Sequence, residues 1–192
     1  MKKIRAVVFD LYGVLGLNGW QEFKTRHFEG RWDEWEPIRR SGQRVDAGEI
    51  TEDEFVDAIA KTTGETPDTV RYQFAHTQPN HTLLTYIRTT LKPNYKIGLL
   101  SNASRDVLPG IFTPEQRALF DAAVMSVSVG RTKPDPLMFQ LIAEKLDVET
   151  NEILFIDDQE RHLAPATAAG MTSLLYVSDQ QITTDLERIL SA

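Results

Sequence analysis

The 192-residue sequence contains no cysteine, so no disulfide can staple it and no thiolate can hold a metal. It has no apolar run approaching the ~18 residues of a membrane span. Its first residues, Met1-Lys2-Lys3-Ile4, enter a strand-like stretch without an apolar segment of signal-peptide length. No membrane and a cytoplasmic location are the expectations that follow. Cations are short as well. Against 28 Asp and Glu there are only 21 Lys and Arg, a net charge of −7, which is the wrong sign for a protein that follows nucleic-acid phosphates by counterion release. A small phosphorylated metabolite stays compatible with that balance, because one or two local cations suffice to hold it. Internal repeats and low-complexity tracts are also missing, and nothing specifies an oligomeric state.

What is present begins with Ala6-Val7-Val8-Phe9-Asp10-Leu11-Tyr12-Gly13-Val14-Leu15, an apolar run that ends on a carboxylate and is followed by a glycine turn. A buried parallel strand delivers a side chain to its carboxyl edge in this way. From about residue 20 to 91 the apolar spacing becomes helical. Thr51 with Glu54 reads as a capping box, with Phe55, Ile59 and Ala58 as the buried face of the helix it opens. Trp20, Phe23, Phe28, Trp32 and Trp35 read as the apolar core of this helical region. Beyond it, strands at residues 95–101, 122–125, 152–157 and 172–177 alternate with helices at 136–146, 159–169 and 182–190. Such alternation predicts a doubly wound, Rossmann-like α/β domain with a parallel sheet, formed by residues 1–15 and 81–192, and interrupted by an all-helical insertion at 16–80.

Four features fall at strand ends of that domain, where ligands of open parallel sheets gather. They are Asp10; Ser101-Asn102; Lys133 within Gly130-Arg131-Thr132-Lys133-Pro134-Asp135-Pro136; and Asp157-Asp158. Alone, each reads equally as a helix cap or a turn. Together, three acids, one cation and one hydroxyl suit a site that holds a hard divalent ion beside a phosphoryl group.

In this order, the four match the motifs of the haloacid dehalogenase-like hydrolase superfamily, and the chain resembles the subclass with a helical cap after the first motif. The likeness is densest from Gly130 to Met171, and Gly48-Glu49-Ile50-Thr51-Glu52-Asp53-Glu54-Phe55 is similar to the subclass's cap. The resemblance implies that Asp10 attacks phosphorus, with Lys133 as its catalytic companion. It implies a binding set of Tyr12, Ser101, Asn102 and Lys133. It also implies Mg²⁺ held by Asp10, the carbonyl of Tyr12 and Asp158, with Asp157 nearby. One position departs from the pattern: Tyr12 stands where the family's phosphatases carry the acid that protonates the leaving alcohol and then deprotonates water. A phenol with pKa near ~10 can donate a proton but is a poor base at neutral pH. Dehalogenases of the family do carry Tyr there, so carbon–halogen hydrolysis is an alternative reading, with Arg39, Arg40 and Arg44 available to a substrate carboxylate unless they form a solvated helix face. A binding module that does not turn its ligand over is a third reading. His162, a few residues after Asp158, is a substitute base if it faces the site, and otherwise an exposed or capping residue. His27, His76 and His81 have no motif around them.

Overall fold

The computed structural model describes residues 3–46, 48–103 and 106–191. Positions 1, 2, 104, 105 and 192 of the expected core and 47 of the expected insertion lie outside the described residues. Strand β1 (Ala6–Phe9) leads through a turn to the short β2 (Gly16–Leu17). Four helices follow, α1 (Trp20–Phe28), α2 (Trp32–Asp46), α3 (Glu52–Thr63) and α4 (Pro67–Ala75). The strand β3 (Gln78–Pro79) returns antiparallel to β2. Helix α5 (His81–Tyr86) then runs on as a π-helical turn (Ile87–Leu91) to β4 (Lys96–Ser101). The one-turn helices α6 (Leu108–Ile111) and α7 (Pro114–Arg117) precede β5 (Ala122–Met125). Helices α8 (Ser126–Val129) and α9 (Pro136–Leu146) precede β6 (Ile153–Asp157), and α10 (Glu160–Ala168), β7 (Thr172–Leu175) and α11 (Asp179–Leu190) complete the order.

The five long strands form one parallel sheet in the order β5-β4-β1-β6-β7. Both faces are covered, which is why β1 and β6 are uninterrupted apolar runs. Alternate residues choose the face. Val7, Phe9, Ile97, Leu99, Leu154 and Ile156 pack with Leu83, Ile87, Ile182 and Leu186 from α5, its π turn and α11. Ala6, Val8, Leu100, Ile153 and Phe155 pack with Met138, Phe139, Ile142 and Ala166 from α9 and α10. Gly98 lets α9 approach β4, since a Cβ there would meet Leu146 Cδ1 and Val8 Cγ2 at 2.9 Å. This is the doubly wound α/β architecture. From β1 the chain builds β4 and β5 to one side and then crosses to build β6 and β7 on the other, so the crevice at the carboxyl ends of β1 and its neighbours is the topological switch point.

The segment between β2 and β3 gathers its own apolar cluster, with Phe23, Phe28, Ile38, Val56, Ile59 and Val70 buried and Trp20 and Trp35 against them. Trp32 stands outside it, 66% exposed at the start of α2, so the aromatic core expected from sequence loses one member. The capping box of Thr51 and Glu54 forms. The buried face of α3, however, is Val56, Ile59 and Ala60, while Phe55 and Ala58 lie half-buried at its margin. The final strand stops at Leu175, and α11 starts three residues earlier than the apolar spacing suggests because Ser178 caps it, accepting from the Gln181 N–H. Among the described residues no helix is long and apolar enough to cross a membrane.

Candidate active site

Hydrogen bonding in the sheet carries β1 one residue past its last paired position, where the Asp10 N–H donates to the Ile156 carbonyl at 2.8 Å. The carboxylate thus leaves the sheet edge at a fixed height, 4% exposed. The turn that follows closes through Gly13 N–H to Gly16 O at 2.9 Å and Gly16 N–H to Leu11 O at 2.7 Å, and the ring of Tyr12 packs against the core. Gly13 has φ +86°, and a Cβ there would stand 2.6 Å from Asp158 Oδ2. Glycine is required twice over, for its backbone conformation and for the close approach of the loop after β6.

Lys133 reaches into the same crevice from the loop before α9. Its ammonium donates to Asp10 Oδ1 at 2.6 Å and to Asp157 Oδ2 at 2.7 Å, and it lies 5.5 Å from the centre of the Phe155 ring. Burial by itself would lower the lysine's pKa; the two carboxylates outweigh it and hold the pKa above its ordinary value, so the group stays charged. Asn102 fixes the loop that carries it. The Asn102 Nδ2 donates to the Lys133 carbonyl at 3.1 Å and its Oδ1 accepts from the Lys133 N–H at 2.7 Å. Both ends of the amide are therefore engaged with backbone, which places Asn102 as a clamp on Lys133. Ser101, fully buried at the end of β4, makes a long contact from its hydroxyl to the Asn102 carbonyl, 3.4 Å.

Asp10, Asp157 and Asp158 each offer an oxygen within 4.8 Å of the others. Three carboxylates around one ammonium leave an excess of negative charge, and the acids answer differently. Burial pushes Asp10 well above the usual carboxylate range, with Asp157 and Asp158 adding to the shift and Lys133 opposing it. Burial and the neighbouring Asp157 push Asp158 up to about 6. Burial also acts against Asp157, yet Lys133 and His162 hold it below its ordinary value, so it ionises most readily of the three. Asp158 Oδ2 accepts from Gln21 Nε2 of α1 at 3.1 Å, whereas its Oδ1 is buried and has no hydrogen-bond partner among the described residues. A hard divalent cation fits this set. It would satisfy the orphaned oxygen, ionise two acids that now resist ionisation, and balance the charge.

The arginines of α2 have acidic partners of their own. Arg39 holds both carboxylate oxygens of Glu36 at 2.7 Å, Arg40 shares Glu36 at 2.9 Å, and Arg44 meets Glu49 at 3.3 Å. Three arginines thus share two carboxylates, Glu36 and Glu49. His162, read from sequence as exposed or capping unless it faces the site, is buried behind Asp157 with its Nδ1 at 3.0 Å from both carboxylate oxygens. His27 pairs with Glu65 at 3.3 Å, and His76 and His81 are exposed. Gln21 escaped the sequence reading, because a polar residue on the outer face of an amphipathic helix carries no local sign of a partner 137 residues away.

A family model described as a haloacid dehalogenase-like hydrolase matches residues 4–170. Bifunctional epoxide hydrolase 2 of Sus scrofa is 29% identical across 97% of this chain, which spans only 39% of that protein's length. Phosphatase MT3486 of Mycobacterium tuberculosis is 27% identical over 98% of this chain and 94% of its own. Among solved structures, a magnesium complex of a family enzyme from Bacteroides thetaiotaomicron superposes with a TM-score of 0.67 at 22% identity, covering 95% of this chain and 99% of that one. An L-2-haloacid dehalogenase superposes with a TM-score of 0.68 at 18% identity over the full length of both.

Proposed function

Since the chain belongs to the haloacid dehalogenase-like hydrolases, we propose that it is a magnesium-dependent phosphatase of small phosphomonoesters with Asp10 as the nucleophile. The observation that carries this reading is the single ammonium of Lys133 between Asp10 and Asp157, beside an Asp158 oxygen that lacks a partner. Asp10, the carbonyl of Tyr12 and Asp158, with Asp157 behind them, would hold the magnesium ion, whose charge when bound keeps Asp10 ionised and offsets its repulsion from the phosphoryl group.

Asp10 Oδ1 is committed to Lys133, so attack on phosphorus falls to Oδ2. The bond from phosphorus to the ester oxygen breaks, and its electron pair leaves with the alcohol. Lys133 has a third proton for a non-transferred phosphoryl oxygen, and Ser101 supplies a second donor. Tyr12 can protonate the departing alkoxide. The phenolate so formed regains a proton from solvent at neutral pH, the ordinary pKa of a phenol being ~10. Water then cleaves the aspartyl-phosphate, returning Asp10, releasing phosphate and giving its proton to solvent, and this step lacks an obvious base because the restored neutral phenol does not accept that proton. General acid–base help of that kind is worth about 10²- to 10⁴-fold, so the second step is the slow one. Residues 16–80 act as a cap that excludes water, with Gln21 on Asp158 as one closing contact.

The test is hydrolysis of an aryl phosphate with magnesium, with EDTA, and in Asp10→Asn. Activity that needs magnesium and is lost in the variant supports the reading; halide release from a 2-haloacid in EDTA would instead favour dehalogenation, the reading that Tyr12 keeps open. Ligand-dependent thermal stabilisation without any product would mark a binding module.

A further inference from the structure

We propose that His162 is a positioning residue whose Nδ1–H holds the Asp157 carboxylate in the orientation from which Asp157 anchors Lys133 beside Asp10. The proposal rests on the phosphatase reading for its kinetic effect, though not for its geometry.

Asp157 is completely buried at the end of β6 and receives its donors from three directions. The Gln159 N–H donates to Oδ1 at 2.9 Å, Lys133 Nζ donates to Oδ2 at 2.7 Å, and His162 Nδ1 stands 3.0 Å from each oxygen. An ionised carboxylate only accepts, so the proton between Asp157 and His162 sits on Nδ1. The other ring nitrogen, Nε2, is buried without a hydrogen-bond partner among the described residues. A proton there would have no acceptor, so the ring is neutral and exists as the Nδ1–H tautomer.

A buried histidine that leaves one nitrogen unsatisfied is held by what the other nitrogen does. What the other does here is fix an acid two steps from the nucleophile. Lys133 is balanced between Asp157 and Asp10, with contacts of nearly equal length. If Asp157 turned away, the ammonium would collapse onto Asp10 and cover Oδ2, the oxygen that must reach phosphorus. His162 therefore touches neither substrate nor nucleophile and acts through Asp157 and Lys133, as the outer hydrogen-bond partners of a metal site act through its ligands.

The competing explanation is that the ring merely fills space between α10 and the sheet. Two substitutions of similar bulk separate the ideas. In His162→Asn the amide nitrogen can stand near the position of Nδ1; in His162→Gln it reaches toward Nε2, where the native ring has no partner. The measurements are kcat and KM for an aryl phosphate with magnesium, thermal midpoints of all three proteins, and the ¹⁵N spectrum of histidine-labelled wild type. The expected results are an Nδ1–H tautomer, near wild-type kcat in His162→Asn, and a kcat reduced about 10- to 100-fold in His162→Gln with KM little changed. An Nε2–H or doubly protonated ring would overturn the proposal, as would equal activity in the two variants, whether both intact or both impaired. The spectrum keeps the test decisive if His162→Gln does not fold. It also needs no substrate, so a wild type inert toward every phosphate ester would remove the phosphatase reading and leave the tautomer as a separate result.

Discussion

At Lys133 one buried ammonium serves two carboxylates, and removing it would leave both without a cation in a place where water cannot replace it. Lys133→Met is expected to destabilise the fold by about 3–5 kcal/mol, the usual loss when one partner of a buried ion pair is deleted. Magnesium should restore part of that stability, and urea titrations with and without the metal measure both effects. Gly13 makes a different demand. Its φ of +86° and the 2.6 Å approach to Asp158 mean that Gly13→Ala must displace either the turn or the acid. The expected result is a variant that still folds but loses most of its magnesium-induced rise in Tm. The residues at strand ends were legible in the sequence because an apolar run that stops on Asp or Ser states both its direction and its terminus. Gln21 and the burial of His162 were not, since each depends on which surface a helix turns toward a strand distant in sequence. The role of Asn102 was legible only in part. Its place beside Ser101 could be read, but its side-chain bonds to the Lys133 backbone join segments 31 residues apart.

Helices α2 and α3 show how far local pattern reaches. The Thr51–Glu54 box is a purely local device and forms as read, so Thr51→Ala is expected to cost about 1 kcal/mol in chemical denaturation. The arginines of α2 needed the structure, because their partners Glu36 and Glu49 compete with any ligand for them. Arg40→Ala and Arg44→Ala should leave kcat/KM for a phosphomonoester unchanged, and a large drop in either would restore a substrate-binding role to this helix. Alternation of strands and helices gave the parallel sheet directly, since a crossover of helical length permits little else. The face of α3 was misassigned by one position: Phe55 and Val56 are both apolar, and only packing within the insertion decides that Val56 points inward.

For the molecule as a whole, the site's excess negative charge links stability, pH and metal. Asp158 titrates at about 6 in the folded chain against an ordinary 3.8, so the native state binds that proton more tightly than the unfolded state does. Its contribution to stability is complete below about pH 4 and is lost as pH rises through about 6. Asp157 has the opposite sign, being held below its ordinary value, and its contribution is lost only as pH falls below the usual carboxylate range. Magnesium competes with the proton on Asp158. The rise in Tm on adding magnesium should therefore be large near about pH 8 and nearly absent near about pH 5, as differential scanning calorimetry at the two pH values would show.

The central claim, that Asp10 is a competent nucleophile in a site whose second step lacks its base, is tested most directly by rapid-quench kinetics of an aryl phosphate with magnesium. A burst of phenol close to one per protein, followed by a slow phase that Tyr12→Asp accelerates, is the predicted result. A linear time course unchanged by Tyr12→Asp, or phenol release that persists in Asp10→Asn, would contradict it.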